Sequence, residues 1–411
     1  MKFIFPDSTD VIAPNYDFDR EKHAVGRVRL RGELYPHEVF NRPPYDGMLI
    51  SLAIVNSRYS LAQKQRLFRD GARKFLRLDK PKFKDHLIFG DCGAFSYRGK
   101  ETPPMTNDDV IEFYTKLKVN VGITLDHIIF DFERDDKYLP GELKLKEDWL
   151  KRQHITIENA AYFWTLYKKK EFNFKPLGVA HGWNAKSYIE SVKALEKIGY
   201  KYICLGGLVP LKNTNLHFLL ERISKAKRKR TTLHLLGISR CENTKEFQDY
   251  DVATFDSTAP LLQAFMSDKD NYYSTKEGEK PFTAIRVPQV HGNTELRKRV
   301  QSGEVDQDAL QTQERHVIKL LKNYDKGKGK MEPLLKALHE YDVMIKGNCK
   351  HLEGYRRILT ERPWKKCKCP LCKKMGIQIV IFRGAERNRS RGFCNLNKFY
   401  KRFEKRRRNG S

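Results

Sequence analysis

Three aspartates in the middle of the chain each follow a short apolar segment. Asp91 comes after Leu-Ile-Phe-Gly, Asp126 after Gly-Ile-Thr-Leu, and Asp256 after Ala-Thr-Phe. Carboxylates grouped in this way can serve as a nucleophile on carbon and as a general acid and base. A single aspartate at a strand end is most often the N-cap of the next helix. Three of them, together with glycine-rich turns such as Gly206-Gly207, predict a pocket lined with carboxylates.

The segments before these aspartates alternate with longer amphipathic stretches between residues 47 and 290. The candidate strands are Met48–Ile54, Leu87–Gly90, Gly122–Leu125, Pro176–Ala180, Tyr202–Leu205, Thr232–Gly237 and Val252–Phe255, and candidate helices include Asp108–Leu117, Ile157–Lys168 and Ser187–Ile198. Strands that alternate with helices predict parallel pairing. We therefore expect a TIM (β/α)8 barrel, with an open doubly wound sheet as the alternative. In a barrel, the polar strand ends would meet at the carboxyl-end mouth, where active sites lie.

The segments outside this core differ in composition. Residues 1–46 are rich in proline and charge, and we expect irregular structure that wraps on the barrel. Residues 291–360 predict a polar helical insertion, with helices at Gln307–Lys322 and Pro333–Met344. Residues 361–411 contain clustered cysteines and end in a basic tail with interleaved aromatic residues. That tail is compatible with contact to phosphates and equally with a solvated helix that has one apolar stripe.

The clustered cysteines have the spacing of a metal site. Cys367, Cys369, Cys372 and Cys394 form the pattern C-x-C-x(2)-C-x(21)-C. Four thiolates match a closed tetrahedral zinc site, and neighbouring lysines help to keep the thiols ionised. Because four protein ligands leave no open position, we expect one structural Zn²⁺ per chain. A metal site rather than an evenly stapled disulfide framework indicates a reducing cytoplasm.

The net charge of the chain indicates which class of molecule it binds. In 411 residues it has 79 Lys and Arg against 51 Asp and Glu, a formal net charge of +28. A surplus of this size indicates a polyanion, most often nucleic acid. Hydrophobic residues make up 40% of the chain, which excludes wholesale disorder. We expect neither a transmembrane helix, since no apolar run reaches about 18 residues, nor a secretion signal in MKFIFPDSTD.

Several motifs, in order along the chain, resemble those of the tRNA-guanine transglycosylase family. The segment 91–96 (DCGAFS) resembles D-S-G-G-[FY]-Q, and 178–183 (GVAHGW) resembles G-[IV]-x-Q-G-G. The segments 206–208 (GGL), 236–238 (LGI) and 255–257 (FDS) resemble G-G-L, M-G-[IV] and F-D-[CS]. The cysteine motif follows downstream, and the resemblance covers about residues 85–395 with a gap. It implies a TIM barrel with a zinc subdomain.

Departures from the family pattern point to one of its branches. His181 stands where the family has Gln, Ala94 where it has a second Gly, and Cys394 where the last zinc ligand is usually His. The stretch from Asp256 to Cys367 is longer than in the tRNA enzymes. A divergent and very basic member is most similar to the DNA-modifying branch, which inserts the 7-deazaguanine preQ0 (7-cyano-7-deazaguanine). Composition does not separate DNA from RNA, so a tRNA enzyme with the same chemistry remains the alternative.

The resemblance also implies roles for the acidic residues. Asp256 would be the nucleophile that captures C1′ of the nucleotide, and Asp91 would be the general acid and then the general base. Asp126 would accept hydrogen bonds from the ring N–H and the amino group of the base. Helix capping is the structural alternative for Asp91 and Asp256, and Asp131 competes with Asp126 for its role.

The remaining motif residues would shape the base pocket. Phe95 and Leu236 would lie on the two faces of the base, although both positions suit a barrel core equally. His181 would reach the carbonyl and the 7-substituent, and a satisfied histidine at a strand end is the alternative. Gly206 and Gly207 would let backbone N–H groups approach the base closely.

The partners follow from the same resemblance. They are double-stranded DNA with the target nucleotide flipped out, or tRNA, and preQ0 or guanine as the free base. A companion ATPase and a homodimer are compatible with it, and the exchange needs no cofactor beyond the structural zinc. Two other classes stay open: a non-catalytic zinc-containing nucleic-acid-binding protein, and a retaining glycosidase. The intact pair Asp91 and Asp256 argues against the first, and the charge of +28 against the second.

Overall fold

In a computed structural model of the chain, the structure describes residues 1–134, 143–170 and 172–409. The chain forms two compact units. The first comprises residues 1–8, 45–258 and 403–411, and the second comprises residues 9–44 and 259–402. No helix among the described residues is both long enough and apolar enough to cross a membrane.

The first unit is built on a closed barrel of eight parallel strands. They are β1 (Lys2–Pro6), β2 (Gly47–Ser51), β3 (Leu87–Asp91), β4 (Val121–Ile123), β5 (Lys175–Ala180), β6 (Tyr202–Leu205), β7 (Thr232–Leu235) and β8 (Val252–Asp256). Each strand pairs with the next, and β1 pairs with β8, Ile4 lying opposite Asp256. The barrel confirms the predicted TIM fold and excludes the open sheet.

Helices connect the strands of this unit. They are Leu52–Arg58, Leu61–Phe75, Asn107–Leu117, Leu143–Lys169, Ala185–Ile198, Asn213–Ala226 and Thr244–Asp249, with short 3-10 turns at Pro81–Phe83, Ala94–Tyr97 and Cys241–Asn243. Polar caps fix where several of them begin. Asn184, for example, accepts a hydrogen bond from the Ser187 N–H, so the helix after β5 starts close to the strand end.

Apolar side chains fill the interior of the barrel beneath its mouth. The buried cluster contains Ile4, Leu49, Phe89, Val121, Ile123, Leu177, Val179, Tyr202 and Cys204. Because every strand is buried on both faces, the strands read as short apolar runs rather than as alternating patterns. The polar residues at the strand ends lie next to this packed apolar layer.

The first strand corrects our expectation that residues 1–46 are irregular throughout. Lys2–Pro6 is β1 of the barrel, and its Phe3, Ile4 and Phe5 are buried. Three apolar residues between Lys and Pro are too few for periodicity to identify a strand, so pairing with β2 and β8 decides its conformation. The strand predicted at Met48–Ile54 ends earlier, at Ser51, because a helix begins at Leu52.

The second unit is mainly helical. Its helices are Pro36–Val39, Ala259–Met266, Thr294–Gln301, Gln307–Asp325, Met331–Lys346, Leu352–Glu361, Pro363–Lys366 and Pro370–Met375, with a 3-10 turn at Gly376–Val380. A small parallel sheet pairs β9 (Ile285–Arg286) with β10 (Ile381–Phe382). The last helix, Gly384–Asn409, belongs to the second unit up to Arg402 and to the first from Phe403. The predicted boundaries near residues 46, 290 and 360 therefore differ from those of the compact units, which tertiary packing sets rather than composition.

Candidate active site

The carboxyl ends of three strands bring the three aspartates to one end of the barrel. Asp91 and Asp256 are the last residues of β3 and β8, and Asp126 follows β4. Asp91 lies close enough to Asp126 and Asp256 for both negative charges to raise its pKa. The three side chains thus lie close together at the carboxyl-end mouth of the barrel. Their roles in catalysis remain predictions.

Asp91 has a pKa suited to proton transfer near neutral pH. Burial is the largest cause that raises the pKa of this carboxyl, and the charges of Asp126 and Asp256 add to it, so that it reaches about 7 instead of 3.8. The backbone N–H of Gly93 acts in the opposite direction by donating to the carboxylate. As a residue, Asp91 keeps partial exposure to solvent. A carboxyl of this kind can donate a proton and take one back in a single cycle.

Asp126 is held by protein groups on both of its oxygens. Its Oδ1 accepts a hydrogen bond from the Cys92 thiol at 3.0 Å, and its Oδ2 lies 2.7 Å from Nε2 of His181. The Tyr97 hydroxyl lies 3.0 Å from the backbone carbonyl oxygen of Asp126 and 3.1 Å from the Cys92 sulfur, and its single hydrogen can be donated to either acceptor. Burial and the nearby Asp126 charge raise the pKa of the Cys92 thiol well above its ordinary value. Cys92 is therefore a neutral donor that orients Asp126, a pairing that the sequence analysis did not predict.

The two glycines after β6 are required by the packing of the protein on itself. A Cβ on Gly206 would lie 2.2 Å from Cε1 of His181, so the imidazole ring rests directly on the Gly206 backbone. Gly207 has φ of +74°, and a Cβ there would lie 2.1 Å from the carbonyl oxygen of Ile129. His181 is fully buried, and its Nδ1 has no hydrogen-bond partner among the described residues. The glycines therefore make room for His181 and for the loop after β4.

Phe95 and Leu236 lie in different surroundings. The Phe95 ring is 61% exposed, meets Phe130 edge to face at 5.7 Å, and has the Arg98 guanidinium 4.4 Å from its centroid. An exposed aromatic ring of this kind can stack on a base. Leu236 is half-buried and packs on the apolar cluster inside the barrel.

Asp256 is anchored through one oxygen only. Its Oδ1 lies 3.2 Å from Nε2 of His234 and accepts a hydrogen bond from the Gly237 N–H at 3.0 Å. Among the described residues, none donates a hydrogen bond to Oδ2. His234 was not predicted as a site residue, although a histidine inside the apolar strand Thr-Leu-His-Leu was the signal that could have identified it.

The four cysteines of the second unit form a compact cluster. The Cys394 sulfur lies 3.8, 3.6 and 3.4 Å from those of Cys367, Cys369 and Cys372. All four are buried, and their sulfurs lie within 4.8 Å of one another. A tetrahedral ion with metal–sulfur bonds of about 2.3 Å would hold its sulfurs about 3.8 Å apart. The Tyr272 hydroxyl, 3.1 Å from the Cys372 sulfur, can orient that ligand. The donor set therefore fits a four-coordinate metal ion.

A basic groove lies on the first unit near the start of the helix Ala185–Ile198. Its volume is about 560 Å³, and its lining includes Arg134, Lys186, Lys193 and Arg222. Two of these cations lie against the Phe218 ring, with the guanidinium of Arg134 at 4.8 Å and that of Arg222 at 3.6 Å from its centroid. Cations around an aromatic ring form a surface suited to a nucleic-acid backbone.

Comparison with known proteins agrees with this site. No family model matches the chain. A curated protein of Salmonella montevideo named DNA-guanine transglycosylase is 43% identical over 415 aligned positions, which cover 98% of this chain and 97% of the relative. At such coverage the similarity extends over the barrel and the cysteine cluster alike. The chain therefore belongs to the guanine transglycosylase family, in its DNA-modifying branch.

Proposed function

We propose that this protein replaces guanine in DNA with the 7-deazaguanine preQ0 through a covalent aspartyl intermediate. The observation that carries the proposal is the pair Asp91 and Asp256 at one barrel mouth, with the pKa of Asp91 raised to about 7. The relative named DNA-guanine transglycosylase supports DNA as the polymer and guanine as the leaving base.

In the first displacement, Oδ2 of Asp256 attacks C1′ of the flipped nucleotide. A C1′–O bond forms, the C1′–N9 bond breaks, and its electron pair leaves with guanine. Protonated Asp91 gives its proton to the departing base. The geometry supports this assignment because both hydrogen bonds to Asp256 fall on Oδ1, which leaves Oδ2 available.

In the second displacement, the incoming preQ0 loses a proton to the Asp91 carboxylate and attacks C1′. The bond from C1′ to Asp256 breaks, and the electron pair returns to the carboxylate. Asp91 is then protonated again, so the cycle consumes neither water nor an external acid. A pKa near the working pH suits both displacement steps, because Asp91 must donate a proton in the first and accept one in the second.

The base pocket would use Asp126, His181 and Phe95. Each carboxylate oxygen has two acceptor positions, so Asp126 can accept from the base while it keeps Cys92 and His181 as donors. The unpartnered Nδ1 of His181 adds a polar atom for the base, and the exposed Phe95 ring can stack on it. Gly206, Gly207 and Leu236 would shape the pocket from behind.

The DNA would be held by its phosphates. The net charge of +28 and the basic groove around Phe218 supply the cations. A base paired inside a duplex cannot reach the barrel mouth, so the target nucleotide must be flipped out. A companion ATPase that opens the duplex and a homodimer remain predictions of the resemblance.

The cysteine cluster would hold a structural zinc ion. Cys367, Cys369, Cys372 and Cys394 supply four soft thiolate ligands, and zinc is the ion that such closed sites usually hold. With no open position it would stabilise the fold of its unit and take no part in the exchange.

The decisive experiment follows labelled base into polymer. The enzyme is incubated with labelled preQ0, or with labelled guanine, and either plasmid DNA or tRNA, and the Asp256→Asn variant serves as the matched control. We expect label in DNA only, and none with the variant. Label in tRNA alone would establish the alternative enzyme, and label in neither polymer, with binding retained, would favour a non-catalytic binding protein.

A further inference from the structure

A chain of buried hydrogen bonds runs from Asp256 into the barrel. His234 on β7 is fully buried, and its Nδ1 lies 2.6 Å from Oγ1 of Thr254 on the adjacent β8. The Thr254 hydroxyl is in turn hydrogen-bonded to the hydroxyl of Tyr202 on β6. Thr254 and Tyr202 are each only 5% exposed. Four polar side chains therefore connect the mouth of the barrel to its apolar interior.

The direction of each hydrogen bond follows from which groups can donate. Asp256 as a carboxylate only accepts, so Nε2 of His234 carries the hydrogen between them. The Tyr202 hydroxyl contacts no second acceptor among the described residues, so it must donate to Thr254. Thr254 then donates to Nδ1 of His234, which has to be the unprotonated nitrogen. Burial raises the pKa of Tyr202 and keeps this terminal donor protonated.

Packing alone does not require polar groups here. The His234 ring is stacked on Phe89 at 5.5 Å between ring centroids, inside the apolar layer of the barrel. A leucine or phenylalanine would fill such a position without the cost of burying a polar group. At the mouth of the barrel, this series of hydrogen bonds ends in the Nε2–H of His234, which it holds against Oδ1 of Asp256.

We propose that His234, oriented by Thr254 and Tyr202, is a positioning residue that holds Oδ2 of Asp256 toward C1′ and assists its departure. This inference rests on the proposed covalent mechanism. When the incoming base displaces Asp256, the C1′–Oδ2 bond breaks and negative charge returns to the carboxylate. The N–H groups of His234 and Gly237 stabilise that charge, as donors preorganised at a developing anion do. No proton moves along the chain during this step.

The two half-reactions should respond differently to loss of the donor. Stabilising the free carboxylate favours the step in which it leaves and does not favour the step in which it attacks. His234→Leu should therefore slow breakdown of the covalent adduct about 10- to 100-fold, the range for a hydrogen bond to a charged group. It should slow adduct formation much less, so the adduct accumulates at steady state.

The test is an acid-quench measurement of protein–DNA adduct, with adduct formation and its breakdown by added preQ0 timed separately. His234→Gln is the matched variant, since its amide can donate from nearly the place of Nε2, and we expect it to restore breakdown in large part. Thr254→Val keeps His234 but removes the hydroxyl that selects its protonated nitrogen, and a smaller slowing of breakdown is expected. This variant also serves if His234→Leu does not fold, which thermal unfolding reports.

Each outcome bears on the inference. Preferential slowing of breakdown, with recovery in His234→Gln, supports the role of His234. Equal slowing of both steps, or equal breakdown in the Leu and Gln variants, overturns it and leaves the covalent mechanism in place. If the unchanged enzyme exchanges base without forming an adduct, the proposed mechanism fails and the role of His234 fails with it.

Discussion

Replacing Asp91 by asparagine should stabilise the protein at alkaline pH while abolishing base exchange. The folded protein raises the pKa of Asp91 to about 7 from an ordinary value of 3.8, chiefly through burial and then through the charges of Asp126 and Asp256. A carboxyl with a raised folded-state pKa binds its proton more tightly in the folded state. The free energy of unfolding therefore falls as the pH rises from about 4 through about 7, and the full loss is present above that pH.

The size of the effect follows from the two pKa values. A difference of one pKa unit corresponds to about 1.4 kcal/mol, so the full loss is about 4 kcal/mol. Because Asp91 keeps partial exposure to solvent, we expect about 2–4 kcal/mol. Asparagine has no charge to bury at any pH. The free energy of unfolding of Asp91→Asn should therefore exceed that of the unchanged protein by this amount at about pH 8.5, and by less than half of it at about pH 5.

The assay compares urea unfolding of the unchanged protein and of Asp91→Asn at these two pH values. Glu147→Gln is the matched control, because Glu147 is an exposed carboxylate on the helix Leu143–Lys169, and it should show no pH-dependent difference. Exchange activity is measured on the same samples. An advantage of the Asn variant that is equal at both pH values, or absent at about pH 8.5, would refute the reasoning about burial and neighbouring charge.

Three further changes test other parts of the molecule. Asp256→Ala should abolish base exchange but leave DNA affinity within about twofold, as measured by fluorescence anisotropy, because it removes the nucleophile and no phosphate contact; residual exchange would remove Asp256 from the mechanism. Cys369→Ala should release the bound metal and lower the thermal stability by about 2 kcal/mol or more, and full metal retention by elemental analysis would contradict the site. The double change of Arg134 and Arg222 to Gln should weaken DNA binding and make the slope of log K against log salt shallower by about two, whereas an unchanged slope would show that this groove does not bind phosphates.

The barrel and the acidic mouth were predictable because the signals are local. Strands such as Tyr202–Leu205 are continuous apolar runs between helical patterns, and Asp91 and Asp256 stand directly at strand ends. The strand Lys2–Pro6 was missed because its apolar core is only three residues long, so that its partners in the barrel determine its conformation. Local patterns do not contain that information.

The contacts inside the site depend on residues that are distant in sequence. Asp126 and His181 were predicted separately as groups that touch the base, but they lie 2.7 Å apart and bind each other. Gly206 was predicted to admit a ligand, and the structure shows that it admits the ring of His181. His234 was not predicted: a histidine inside an apolar strand indicates a buried polar group, but it does not show that this group contacts Asp256.

Three carboxyl groups cluster at the barrel mouth of a protein whose formal net charge is +28. The protein as a whole attracts the sugar-phosphate backbone, but we expect the carboxylates of Asp126 and Asp256 at the mouth of the barrel to repel it. An uncharged heterocycle meets no such opposition. We therefore expect the mouth to favour entry of the uncharged base over entry of a phosphate group.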